Sequence, residues 1–482
     1  MSDELINLPD QPLVVDESSS LQEKNMLRES SRNNSEESTK LENAETSLSS
    51  PHTANKKTTL PTWNHPIMYL INIHILICLH AFSWWALLQT ANHPLRKHII
   101  SQPLSFIQKT MTYIPDTVVP HVNQNISVIL SEYFPSEETV ISTSFLSSPL
   151  FGFVILPIAE IVLPFKGVEY LYSNNAYDKK EIDEQTNKYK FFFRVIPLVY
   201  TVTLSALFWF SLTCVHLLTL EQFLLHSLSL GIVIAQSGAI SHEMLHKRTW
   251  LENLCARIIL SYHSYLHFPL EHVYSHHKKL ATYEDAATAR YGETIYKFVF
   301  RSSFTGYMNA WRIDIEKVKK RKEKLRWLKS EMLWSTVVTI ALPICIYHYI
   351  GAAALTSFIV TCLVAIFLVE SVNYVEHYGL KRRKRDDGSY EPVNETHSFD
   401  ALFRVSSYSY FNIIFHADHH FYGQREYYKL RVYENSPKLP YGYSTMILLS
   451  FIPPLFFSIM HPILYDFYEK RGIDYDKLLQ QE

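Results

Sequence analysis

Residues 354–380 read ALTSFIVTCLVAIFLVESVNYVEHYGL, a mostly apolar run over 354–373 that passes without a break into Asn373-Tyr374-Val375-Glu376-His377-Tyr378-Gly379-Leu380. About 20 apolar residues at 1.5 Å per helical residue cover a hydrocarbon core of roughly 30 Å. The stretch therefore predicts a spanning helix that delivers His377 where it leaves the membrane. Similar runs lie at 67–88, 145–165, 191–212, 222–241 and 333–350. The fold class read from them is all-α, a polytopic membrane protein with six transmembrane helices. The last two runs are separated only by the neighbourhood of Gly351, which suits a tight helical hairpin.

Outward from the spans, residues 1–62 hold no aromatic residue and are dominated by Ser, Glu, Asn, Lys and Thr. Such a composition cannot bury enough apolar surface to offset ordering entropy and predicts a disordered polar tail. With no basic start or early apolar stretch of a cleavable signal peptide, the first span itself should direct insertion. The expected organisation is this tail, a first helix and external segment over 63–143, a membrane domain over 144–470 carrying the chemistry, and a C-terminal tail over 471–482. The stretch from Ser444 to Pro462 is apolar but broken by Pro453 and Pro454, and reads as interfacial or re-entrant.

Basic residues set the expected orientation, because cytoplasmic loops carry the excess of Lys and Arg. Lys317, Lys319, Lys320, Arg321, Lys322, Lys324, Arg326 and Lys329 precede the fifth span, and Lys381, Arg382, Arg383, Lys384 and Arg385 follow the sixth. Both flanks are read as cytoplasmic, either as lipid-facing anchors or as a dock for an acidic partner. A net charge of −2 from 45 basic and 47 acidic residues gives no reason to expect nucleic acid. The five cysteines are scattered without a C-x-x-C, which excludes a disulfide framework or a thiolate metal site. No G-x-G-x-x-G is present either, so the chain carries no dinucleotide-binding fold.

Nine of the 23 histidines fall in four short clusters on the expected cytoplasmic side. They are His242 and His246 at the end of the fourth span; His272, His276 and His277; His377 leaving the sixth span; and His416, His419 and His420. A spacing of four puts two imidazoles on one helix face. Nine buried titratable rings with nothing between them would repel and lose hydration, whereas metal coordination uses the neutral ring and its lone pair. Nine ligands exceed one ion's capacity, so two metals are implied, and nitrogen-rich open sites suit iron handling O₂. A competing pattern is His242-Glu243-Met244-Leu245-His246, an H-E-x-x-H sequence in which Glu243 would be the general base of a membrane zinc protease. That reading leaves the other clusters unexplained.

At these residues the chain resembles the membrane alkane 1-monooxygenase family, which includes the xylene monooxygenases and belongs to the wider membrane desaturase and hydroxylase superfamily. The resemblance rests on the H-E-x-x-H-K box at His242 to Lys247, the E-H-x-x-x-H-H box continuing to Ala287, and N-Y-V-E-H-Y-G-L at Asn373 to Leu380. It also rests on H-x-D-H-H at His416 to His420 and on the segment from Lys438 to Tyr443, and it covers roughly Phe145 to Tyr468. The family's H-S-W reads His397-Ser398-Phe399 here. The resemblance implies two non-haem irons on His242, His246, His272, His276, His277, His377, His416, His419 and His420. O₂ is the implied co-substrate, the target an unactivated C–H bond of an alkane or other apolar or acyl-chain substrate, and electrons come from a separate rubredoxin- or ferredoxin-type protein. A fatty-acyl desaturase and a non-catalytic membrane receptor are the other classes a superfamily member could fill.

Glu243, Glu271, Glu376 and Asp418 stand beside ligands in sequence and are read as acceptors of imidazole N–H groups, with one of them able to bridge the irons. His263, His267 and His397 are read as structural or supporting residues. The expected location is a bacterial inner membrane, or the endoplasmic reticulum of a eukaryote, with the site facing the cytoplasm. Substrate is expected to pass between the first spans, where Trp84, Trp85 and Phe151 are candidates for narrowing the route.

Overall fold

The computed structural model describes residues 66–89, 144–163, 179–247 and 249–481, so the expectations for 1–62 and for 91–143 lie outside the described residues. Helix α1 runs Pro66–Gln89, α2 Ser147–Val162, α3 Lys179–Cys214, α4 Leu220–Leu245 and α5 Trp250–Tyr262. Segments Phe268–Glu271, His272–His276 and His277–Lys279 continue as one helix, α6. Then follow α7 Ile295–Lys319, α8 Glu331–Tyr349, α9 Ala352–His377, α10 Arg404–Ser409, α11 His416–Phe421, α12 Tyr443–Ser450, α13 Pro453–Glu469 and α14 Tyr475–Leu479. No β-strand forms among the described residues, which contain only isolated bridges such as Asp400–Lys438.

Five helices are long and apolar enough to cross a membrane: Pro66–Ala86, Asn187–Leu217, Leu220–Leu245, Glu331–Tyr349 and Ala352–His377. The run expected as a further span at 145–165 forms α2, which at 1.5 Å per residue is only about 24 Å long and contains a π-helical stretch, Phe151–Ile155. Near Pro453 and Pro454 the apolar stretch does break, into α12 and α13. The segment expected as a C-terminal tail is packed: Tyr475 is buried in α14, stacks on Tyr468 at 4.5 Å and donates its hydroxyl to Gly379 O at 2.5 Å.

Helices α4 and α9 form the axis that places the site. Small residues let them approach closely: a β-carbon on Gly231 would lie 2.6 Å from Val364 Cβ, and the Ser227 and Ser357 hydroxyls meet at 2.9 Å. Ser302, Gly306 and Ala310 are buried on α7, and α7 packs on α6 and α9. The capping box of Thr219 and Gln222 opens α4 at the end far from the histidines. At the near end, Tyr69 in the first turns of α1 accepts from Asn412 Nδ2 at 2.7 Å, and Phe193 of α3 stacks on Tyr428 at 4.2 Å. The start of α1, α3 near Phe193 and the ends of α4 and α9 therefore meet in one layer, and α6, α10 and α11 close over it.

Candidate metal centre

The nine histidines read from the sequence come together as two adjoining groups. His242, His246, His272, His277 and His419 form one, and His276, His377, His416 and His420 form the other; within each, the potential ligand atoms lie within 4.8 Å of one another. The partition follows helix geometry. His242 and His246 are one α-turn apart at the end of α4, as are His416 and His420 in α11, while His419 points a third of a turn away into the first group. In α6 the spacing of four expected for His272 and His276 is replaced by a π-helical turn over His272–His276. That wider turn brings His272 and His277, five residues apart, into one group and turns the neighbouring His276 into the other. An α-helix over the same residues would have aligned His272 with His276 instead.

The rings meet through Nε2. His242 Nε2 lies 2.6 Å from His272 Nε2, His272 Nε2 3.0 Å from His277 Nε2, and His277 Nε2 3.2 Å from His419 Nε2. In the second group His416 Nε2 is 3.2 Å from His377 Nε2 and 3.0 Å from His420 Nε2. His246 Nε2 and His276 Nε2 are buried without a hydrogen-bond partner. Several imidazole nitrogens around one point cannot all be satisfied by donating to each other, since each neutral ring has one N–H. A cation accepting all the lone pairs satisfies them, so the donor set fits two metal ions with nitrogen ligands.

Electrostatics agree. Burial holds His246, His272, His277, His416, His419 and His420 well below the usual imidazole range, and the neighbouring rings push them further down. They stay neutral, the form a metal needs. His276 is the exception: burial lowers it, but the Asp285 carboxylate outweighs burial and raises it. Asp285, fully buried, accepts from His276 Nδ1 at 2.8 Å and from Thr288 Oγ1 at 2.6 Å, and its other oxygen accepts from Ala287 N at 3.2 Å. This fixes the tautomer that turns Nε2 of His276 toward its group. Asp285 was not singled out by the sequence reading; the only signal was its place in the A-T-x-E-D-x-A continuation of the second box.

The four expected carboxylates divide differently. Glu376 reaches the imidazoles, with Oε2 3.1 Å from His416 Nε2 and Oε1 accepting from Tyr443 OH at 2.6 Å. Glu243 does not accept from a ring: it pairs with Lys247 at 2.6 Å and accepts from Tyr427 N at 3.2 Å. Asp418 is turned outward to Arg425 at 2.6 and 2.7 Å, Tyr433 OH at 2.7 Å and Arg431 N at 2.9 Å. Glu271 is buried with one oxygen unpartnered, its chain against Gly306 of α7. A cationic or backbone donor lies closer to Glu243 and Asp418 than any imidazole N–H.

His263, His267 and His397 stay outside both groups. His263 bonds Ile259 O at 3.0 Å, and His397 lies 3.3 Å from Glu391. Trp84 is buried, donating to Ser211 Oγ at 3.0 Å and packed against His226 at 5.1 Å. His226 precedes His242 by sixteen residues on α4, about 24 Å along the axis. Trp85 is 36% exposed and stacks on Phe82. Phe151 is half-buried against the core. Directly on the imidazoles, a cavity of about 60 Å³ lies between α4, α5 and α9, walled by Ala235, Gly238, Val369 and Val372 and floored by His242, Glu376 and His416.

Residues 220–450 match the family model for fatty acid desaturase. The chain is 36% identical over 242 residues to alkane 1-monooxygenase 1 of Pseudomonas aeruginosa, covering 50% of this chain and 63% of that protein, just under two thirds of its length. It is 30% identical over 344 residues to the alkane 1-monooxygenase of Acinetobacter baylyi, covering 71% of this chain and 82% of the relative. A third similarity, 29% over 222 residues, is to the xylene/toluene monooxygenase hydroxylase component XylM of Pseudomonas putida, covering 46% and 58%.

Proposed function

Because the chain belongs to the alkane 1-monooxygenase family of the membrane desaturase and hydroxylase superfamily, we propose that it hydroxylates an unactivated C–H bond with O₂. The bond is a terminal-methyl C–H of an alkane or of another apolar or acyl-chain substrate. The observation that carries this reading is the pair of adjoining all-imidazole groups opening on a small apolar cavity. Two irons held by His242, His246, His272, His277 and His419 and by His276, His377, His416 and His420 would supply the O₂ activation and C–H oxidation.

The chain's own residues do the rest. Asp285 holds His276 in its ligating tautomer. Glu376, with Oε2 3.1 Å from His416 Nε2, offers that group of four imidazoles a fifth donor and is itself held by Tyr443. Glu243 ties the end of α4 to the backbone at Tyr427, Asp418 ties α11 to Arg425 and Tyr433, and Glu271 braces α6 against α7, so these three position ligands. The aliphatic wall excludes water from the reacting carbon.

We further read α2 as a sixth crossing. It starts beside α1, where Ser83 Oγ donates to Ser144 O at 2.8 Å, and ends where Glu160 accepts from Ser406 and Thr445 in the layer of the histidines. The basic runs flanking α8 and α9 support a cytoplasmic site and a dock for an acidic rubredoxin- or ferredoxin-type donor. A bacterial inner membrane or the endoplasmic reticulum satisfies the same argument. The domain reading keeps 144–470 as the hydroxylase body.

The experiment is metal analysis of detergent-purified protein combined with product analysis from membranes given an alkane and acyl-chain panel, a reductant and ¹⁸O₂. Two irons per chain and ¹⁸O in an alcohol product are expected. One zinc with negligible iron would replace the reading by the H-E-x-x-H protease. A double bond without ¹⁸O would replace it by a desaturase, and metal without O₂ consumption by a receptor.

A further inference from the structure

Beside the 60 Å³ cavity on the metal centre lies a larger one of about 400 Å³, bounded by the turn before α6, by α7, by the first half of α8 and by Ile366 of α9. Its lining is apolar on the outside, with Phe300 and Phe304, and lightly polar within, with Ser303 and Thr336. A volume of this order is that of an ordinary small-molecule site. Its mouth carries a second feature. On α7, Tyr296, Phe300, Phe304 and Met308 recur every fourth residue and are exposed, Phe300 to 78%. A helix whose exposed face is a row of large apolar groups, and which ends in Lys317 and Lys319, is built to lie against hydrocarbon with its charged end in the interface.

The two cavities share one wall, Tyr265. Its ring is buried and leads inward through Phe268, 6.0 Å away, which in turn stacks on His272 at 4.8 Å. Its hydroxyl donates to Glu370 Oε1 at 2.5 Å, and Ser303 Oγ lies 3.4 Å away. Glu370 is a buried carboxyl on a spanning helix, with its second oxygen unpartnered. Acidic groups at such depth are costly and are kept where they act. Ser264, immediately before the tyrosine, holds a φ of +56°, a strained conformation for a serine that aims the following side chain.

We propose that the space between α7 and α8 is a lateral portal through which an apolar substrate chain leaves the bilayer leaflet next to the metal centre, with Tyr265, latched by Glu370, as its gate. Rotation of the tyrosine ring away from Glu370 joins the two cavities into one path from lipid to the face of His242 and His416. The proposal rests on the hydroxylase reading for the identity of the chain that passes, and it replaces entry between the first spans. Trp84, about 24 Å along α4 from the histidines, stands at the far end of a bound chain and not at its door.

The test plugs the portal from either wall, with Ser303→Trp on α7 and Thr339→Trp on α8, and breaks the latch with Tyr265→Phe. Native membranes are exposed to a long-chain alkane carrying a photoreactive diazirine, with and without prior metal removal, and labelled peptides are mapped. The intact protein should be labelled on the peptide containing Tyr265 and Phe268 in both conditions. Both plugs should abolish that label, and Tyr265→Phe should increase it. In turnover assays each plug should raise KM about tenfold, with kcat and metal content unchanged. Undiminished inner labelling in both plugged variants that retain metal overturns the portal, whatever the activity. Labelling that follows the proposal in a protein that oxidises no alkane leaves the portal standing and refutes the hydroxylase reading.

Discussion

Replacing Asp285 by Asn tests the centre at its best-defined support. The carboxylate is fully buried and receives three donors, His276 Nδ1–H, Thr288 Oγ1–H and Ala287 N–H. An amide of the same shape has one acceptor oxygen. If that oxygen faces His276, the NH₂ group meets Ala287 N–H. If it faces Ala287, two donors meet at His276, whose proton must then move to Nε2 and remove it as a ligand. Either arrangement strands a buried donor at about 1–3 kcal/mol, which at 1.4 kcal/mol per decade is roughly 5- to 150-fold. The range measured for partners of metal-bound histidines is about 10- to 100-fold. Asp285→Asn should therefore weaken the metal held by His276, His377, His416 and His420 by about 10- to 100-fold and spare the other. Titrating metal-free protein with Co²⁺ against a competing chelator, and reading the visible spectrum, resolves the two events. Two unchanged affinities in a variant with full turnover would refute the tautomer argument.

Retention of the metal held by His242, His246, His272, His277 and His419 should depend weakly on pH, because this group lacks the raised His276. Four ordinary imidazoles of pKa about 6.5 would each be about three-quarters protonated at pH 6 and would together cost about two-hundredfold in the affinity of one ion relative to pH 7.5. The depressed values of His246, His272, His277 and His419 keep the neutral rings of this group present as pH falls through 6.5. Equilibrium dialysis at the two pH values should then differ by less than about tenfold. At Gly379, φ is +69° and a β-carbon would lie 2.5 Å from Leu464 Cδ1 and 3.0 Å from Tyr475 OH. Gly379→Ala should cost about 2–4 kcal/mol by summing backbone strain and overpacking, seen as a lower melting temperature and loosened C-terminal proteolysis. Trp84→Ser should shift the preferred chain length upward in a competition assay, whereas Trp85→Ser, on the lipid face, should leave it unchanged.

The sequence by itself determined the architecture's outline and which histidines gather into one layer. Length and apolarity alone mark α1, α3, α4, α8 and α9, because water cannot satisfy a backbone inside hydrocarbon and a helix of fixed rise must cover a fixed thickness. The nine histidines were legible because imidazoles are too polar to be gathered at a membrane face without a reason. How they divide was not legible. Residue spacing assumes an α-helix, whereas His272–His276 form a π-turn within the part of α6 packed against α7, which sends His276 and His277 to different groups. The directions of the carboxylates were decided in the same way. Asp418 turns to Arg425 and Tyr433, Glu243 to Lys247, and Asp285 reaches His276 across a turn, because a buried charge goes to the strongest donor that the folded chain brings within reach, and sequence adjacency does not say which donor that is.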